Sequence, residues 1–198
     1  MIDDLVPPTF DPADAAAAAA RFAATAPADV SYALVDSPIG TLVAASTPQG
    51  LASLSYEDHE GGVDVILERL AAKISPRILE APARLDEVRR ELDEYFEHRR
   101  TAFDVPIDWS LVSPFGRRVL RATATIPFGE VSTYAKVAAQ AGNPKASRAA
   151  GNALGSNPMP IVLPCHRVLH TGGKGIGNYT GGVHRKEALL RLEGVLLG

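Results

Sequence analysis

The chain has 198 residues, 46% of them hydrophobic, with a formal net charge of −3 and a single cysteine. That is enough apolar material for a buried core in one large or two small domains, and no apolar stretch reaches the roughly 20 residues of a membrane span. One thiol excludes an intramolecular disulfide and a multi-cysteine zinc cage, and the acidic start Met1-Ile2-Asp3-Asp4 differs from the basic start of a secretory signal, so a cytoplasmic protein is expected.

The small net charge conceals an asymmetry. Residues 1–106 carry 9 Lys/Arg against 19 Asp/Glu, and residues 107–198 carry 11 against 4, so the halves stand at −10 and +7. This split suggests two domains, 1–106 and 107–198, of which the second meets a polyanion. A solvated basic face, or one that binds the acidic half, is the plainer alternative.

In chain order, the Ala-rich run within residues 11–26 reads as a frayed surface helix or leader without chemistry. Residues 31–56 read as three short antiparallel strands, separated by turns at Asp36-Ser37-Pro38-Ile39-Gly40 and Thr47-Pro48-Gln49-Gly50. Two helical stripes follow. One carries Val65, Ile66, Leu70 and Ile74; the other carries Leu85, Val88, Leu92, Tyr95 and Phe96, which read as core. A short strand at residues 103–107 then leads to Ser113-Pro114, a domain junction, and the first half is a small α/β unit.

The second half is mainly helical. Pro114 opens a helix that ends before Pro127-Phe128-Gly129, and Ser132 suits the N-cap of a helix over residues 133–140. Gly142 breaks it, Asn143 is a cap candidate, and Pro144 takes the first position of a helix over residues 145–154. Two short helices around a Gly-containing turn make a helix-turn-helix candidate. Across Ala146 to Ala153 only Arg148 is long, so this helix can approach a nucleic-acid groove with Arg148 as a probe; tight helix packing with Arg148 in solvent explains it equally well.

The lone thiol lies in Pro164-Cys165-His166-Arg167-Val168. A solitary cysteine is more often a small buried hydrophobe than a nucleophile, so its neighbours must argue for reactivity. His166 and Arg167 can favour a thiolate, and Glu187 or Glu193 can orient the imidazole, Glu187 being better placed to face water.

Residues 157–168, the run Gly177-Asn178-Tyr179-Thr180-Gly181-Gly182 and the tail 186–194 closely resemble the O6-alkylguanine-DNA alkyltransferases. The resemblance continues upstream through residues 127–134 and Arg148, covers residues 113–197, and is looser in the first half, at Ser37-Pro38-Ile39-Gly40 and Glu91 to Phe96. It implies a ribonuclease H-like α/β domain followed by a mainly α domain with a helix-turn-helix. It further implies that Cys165 irreversibly takes an alkyl group from O6 of guanine, or O4 of thymine, and is then spent. His166 would deprotonate Cys165 through a water, with Glu193 orienting the imidazole and Asn157 bracing the active-site loop.

By the same resemblance Tyr134 would crowd the target phosphate and donate towards guanine N3. Arg148 would replace the extruded nucleotide, on a helix whose Ala149 and Gly151 also meet DNA. Val168, Tyr179, Thr180, Gly181 and Lys186 would hold the base. The implied partner is double-stranded DNA with alkylated bases, bound through the minor groove by a monomer, without cofactor or metal. Flipping is a physical necessity, because a reactive group buried at a base edge cannot be reached inside a duplex. The loop from His170 to Gly177 is longer than the family's, and the first half lacks the cysteines that hold zinc in some relatives. A non-catalytic lesion-binding protein would lack Cys165. A Cys/His hydrolase would need a distant histidine, His59 or His98, and an oxyanion hole.

Overall fold

The computed structural model describes residues 11–59, 61–171 and 175–196; the acidic start and residues 172–174 of the long loop lie outside them. Helix α1 (Pro12–Thr25) is capped by Asp11, whose carboxylate accepts from Ala13 N at 2.8 Å, and Phe22 on it is 66% exposed. Strands β1 (Val30–Val35), β2 (Leu42–Thr47) and β3 (Gly50–Tyr56) form the expected antiparallel meander. A fourth strand, β4 (Ile78–Glu80), pairs in parallel with β1, so the sheet is mixed, in the order β3-β2-β1-β4, rather than purely antiparallel. Three residues are too short for alternation to register, and only the return of helix α2 (Val63–Lys73) brings them beside β1.

The central strand β2 is buried on both faces. Val43 and Ala45 face Ile66 and Leu70 of α2, whereas Leu42 and Ala44 join Leu54, Leu85 and Leu92 in the main core. This is the period of two expected of a pleated strand between two layers. Val65, placed by its spacing on the inner stripe of α2, is instead 47% exposed. The expected strand at 103–107 is only an isolated bridge between Leu51 and Ile107. Pro106 has no N–H with which to extend the ladder, although its carbonyl accepts from Leu51 N at 2.7 Å.

Helix α3 (Asp86–Phe96) crosses to the second half, and the main core runs through both halves, joining Tyr56 and Tyr95 to Val119, Leu120, Leu163 and Leu189. Helix α4 (Pro114–Ala124) starts at Ser113, whose hydroxyl accepts from Gly116 N at 3.1 Å. Ser132–Thr133 form strand β5, in parallel with β6 (Val168–Leu169), which carries the chain after Cys165 to the start of α5 (Tyr134–Gln140). The N-cap of α5 is therefore Thr133 and not Ser132. Helix α6 (Ser147–Gly155) begins later than expected, because Asn143 O accepts from Ala146 N and closes a turn that contains Pro144. Helix α7 (Val183–Leu192) ends the chain's regular structure. No helix among the described residues is long and apolar enough to cross a membrane.

Candidate active site

Cys165 opens a short 3₁₀ helix, Cys165–Arg167, reached through the loop 157–164 that leaves α6. Asn157 organises this loop: its Nδ2 donates to Leu163 O at 2.8 Å and to Cys165 Sγ at 3.2 Å, and its Oδ1 accepts from Met159 N at 3.0 Å. Ile161 is fully buried at φ +74, a left-handed conformation that costs a β-branched residue about 1–3 kcal/mol. Its burial among the packed residues of the core holds it there.

Behind the thiol stands a buried charged group. Glu193 accepts from His166 Nε2 at 2.8 Å, Arg167 Nε and Nη2 at 2.9 Å each, Tyr95 hydroxyl at 2.6 Å and Gly129 N at 3.3 Å. Burial works to raise its pKa, but the hydrogen bonds from His166 and Arg167 outweigh it and hold the carboxylate at about 2. An ionised carboxylate only accepts, so His166 Nε2 carries the proton of that bond. Burial lowers the His166 pKa more than Glu193 raises it, so the ring is neutral. Its Nδ1 is then a bare acceptor, and it is buried without a hydrogen-bond partner among the described residues. Burial likewise dominates at Cys165, whose pKa is pushed up to about 11 despite the Asn157 hydrogen bond and the charge of Lys186. The resting sulfur is a thiol.

Cys165 lines a cavity of about 400 Å³ between α5, α6 and the 178–179 segment, a volume in the range of small-ligand sites. Tyr134 and Arg148 also line it, as do Gly151 and Tyr179. Tyr134 leans on His170, with ring centroids 5.1 Å apart, and its hydroxyl would lie 2.7 Å from a Cβ at Gly177, where φ is +78. A larger residue there would be strained and would push on the Tyr134 hydroxyl. A Cβ at Gly151 would sit 3.7 Å from the Tyr134 ring, an ordinary contact.

Asn157 is thus bonded to Cys165, and the neighbouring His166 to Glu193, while Tyr134, Arg148, Gly151 and Tyr179 line the cavity with the thiol. Ala149 is exposed on α6, outside the cavity lining. Four of the expected base-holding residues stand behind the wall or beside it. Val168 is fully buried, with its carbonyl taking Lys186 Nζ at 2.7 Å. Lys186 is itself fully buried, its pKa lowered by burial to about 8. Gly181 packs so closely on Tyr56 that a Cβ would lie 2.3 Å from the ring, and Thr180 donates to Gly155 O at 3.4 Å. His59 and His98 do not line the cavity. Sequence reasoning assigned Tyr95 to the core alone and missed Tyr56, Arg185 and the place of Arg167 on Glu193; a tyrosine amid the charges of α3 was the one available signal.

An α/β unit and a helical unit that share a core, with one thiol backed by a His–Glu pair and facing a cavity beside a helix pair, define a two-part protein with a single acceptor nucleophile. The model of the 6-O-methylguanine DNA methyltransferase ribonuclease-like domain matches residues 30–109, and that of the same family's DNA binding domain matches residues 114–195. A methylated-DNA–protein-cysteine methyltransferase of Mycolicibacterium paratuberculosis is 40% identical over 164 residues, 83% of this chain and 92% of the relative. The human protein of that name is 36% identical over 171 residues, 83% and 80% of the two chains. The crystal structure of Mycobacterium tuberculosis OGT in complex with DNA superposes with a TM-score of 0.71 at 36% identity, over 83% of this chain and 93% of that one.

The chain belongs to the 6-O-methylguanine DNA methyltransferase family. Its activity is that of a methylated-DNA–protein-cysteine methyltransferase, direct-reversal DNA repair in which an alkyl group passes from DNA to a cysteine, and Cys165 is the only cysteine it has.

Proposed function

We propose that Cys165 takes one alkyl group from O6 of guanine in duplex DNA and is consumed by doing so. The observation that carries this reading is a thiol at the cavity, tied by Asn157 and followed by a neutral His166 whose Nδ1 has no partner among the described residues. His166 takes the thiol proton across a bridging water as sulfur attacks the alkyl carbon in line. The carbon–O6 bond breaks, its electron pair stays on the base, and a thioether forms. Glu193 stabilises the imidazolium, and Tyr95 and Arg167 hold Glu193 in place. Tyr134 donates towards N3 as the base gains negative charge, and donors of the Tyr179–Thr180 turn meet O6. A thioether has no group that the chain can expel, so turnover stops at one.

The base must leave the stack to reach Cys165, at a cost of a few kcal/mol. In this reading Arg148, exposed at the rim of the cavity on a helix of small residues, fills the gap, with α6 entering from the minor groove. The basic second half supplies phosphate contacts, and the chain acts as a monomer in the cytoplasm. Incubation with a duplex bearing radiolabelled O6-methylguanine tests the reading: one label per chain is expected on the Cys165 peptide, and none on Cys165→Ser. Label that stays in the DNA, or release of several labels per chain, would sink it.

A further inference from the structure

Every residue that lines the cavity comes from positions 134–179, yet its Tyr179 wall is held from the first half of the chain. The Tyr179 hydroxyl lies 3.0 Å from that of Tyr56, the last residue of β3, and both are buried. The Tyr56 ring fills the space beside Gly181, where a Cβ would come within 2.3 Å of it. Arg185 covers the same ring, with its guanidinium carbon 4.4 Å from the centroid. Tyr56 of β3 is therefore met at three neighbouring points, by Tyr179 of the wall and by Gly181 and Arg185 beside it.

Arg185 also joins three segments of the chain. It is 6% exposed, and it donates through Nε to Ile39 O at 2.7 Å, through Nη1 to Gly181 O at 3.0 Å, and through Nη2 to both Asp58 oxygens at 2.7 and 2.8 Å. Gly40, at φ +112, makes room for it: a Cβ there would lie 2.8 Å from Nη2. The Ser37-Pro38-Ile39-Gly40 turn, closed by the Ser37 hydroxyl on Gly40 O at 2.5 Å, thus presents a carbonyl and a gap to one arginine. The next residue, Lys186, bonds the carbonyls of Val168 and Asn178 on the other end of the wall. Asp58 is 68% exposed in its side chain, so its ion pair adds only modest stability, and the planar fork of the arginine matters more for geometry than for holding the fold.

We propose that Arg185 and Tyr56 form a clasp between the halves, positioning residues through which the first half sets the place of the Tyr179 wall and so the rate and size preference of transfer to Cys165. The proposal rests on Cys165 being the acceptor. Full-length Arg185→Lys, Tyr56→Phe and Asp58→Asn are compared with wild type for single-turnover transfer from one duplex carrying O6-methylguanine or O6-benzylguanine, together with duplex Kd and Tm. Arg185→Lys is expected to slow transfer about tenfold, since small misplacements of a reacting site are costly. The benzyl-to-methyl rate ratio is expected to shift by about threefold or more, with duplex Kd unchanged. Tyr56→Phe and Asp58→Asn shift the ratio in the same direction by less, and they carry the test if Arg185→Lys does not fold. Wild-type rates and ratio in the folded variants, or equal losses on both lesions that follow Tm, would overturn the clasp alone. A wild-type protein that leaves Cys165 unlabelled overturns the acceptor reading and the clasp with it.

Discussion

At Cys165 burial outweighs the groups that favour a thiolate. Asn157 and Lys186 both pull its pKa down, yet it stands at about 11 where an ordinary thiol stands near 9. The sulfur is therefore protonated near neutral pH, and a group that is spent by one wrong electrophile gains from that protection. Iodoacetamide modification of the free protein, followed by mass spectrometry, should keep accelerating up to about pH 11. A plateau near pH 9 would show an unshifted thiol. The motif Pro164-Cys165-His166-Arg167 made Cys165 and His166 legible, because neighbours in sequence are legible by definition. The choice of Glu193 over Glu187 could be guessed, and the structure separates them: Glu193 bonds His166, whereas Glu187 pairs with Arg191 at 3.2 Å.

The element that decides access to the cavity is α6. Its small residues let it lie against α4 and α5, with Ala150 and Leu154 buried, while Arg148 and Ala149 face outward. The small residues thus pack on one face and the arginine is exposed on the other, and only a DNA substrate tests Arg148 as a probe. Arg148→Ala should slow repair of O6-methylguanine in duplex DNA about tenfold, since part of the few kcal/mol of flipping loses its compensation. Reaction with the free alkylated base, which needs no flipping, should stay at the wild-type rate. Equal rates on the duplex would remove Arg148 from the role of finger. Helix grammar located α4, α5 and α6, but their starts shifted where a competing local bond won, as at Thr133 and in the turn 143–146.

Across the whole molecule the buried Glu193 carboxylate is also a joint. Tyr95 reaches Glu193 from α3, so the carboxylate that orients His166 ties the two halves together. Its stability contribution depends on pH. A carboxylate held at about 2 contributes fully above its ordinary value of 4.5 and loses that contribution as pH falls towards 2. His166, whose pKa is lowered by burial, acts in the same direction, because below its ordinary 6.5 the unfolded chain takes up a proton that the folded chain resists. Stability should fall as pH drops below about 6.5 and more steeply below 4.5, with Trp109 fluorescence and circular dichroism changing together because both halves share a core. Glu193→Gln should be less stable at neutral pH and show a flatter acid profile below 4.5. Separate transitions for the two signals would mean that the halves unfold independently.

The sequence by itself determined the class of chemistry. One cysteine in a specific local motif, helices written in caps and prolines, and a charge split between halves are all short-range or compositional, and they need no tertiary context to read. Only the tertiary structure decided which distant groups serve the site. Tyr95 lies 98 residues from Glu193, Tyr56 lies 123 from Tyr179 and Asp58 lies 127 from Arg185. Nothing in local spacing links such pairs, because their contact follows from how α3 and β3 pack on the second half, and that packing is where a stretch read as core became part of the active site.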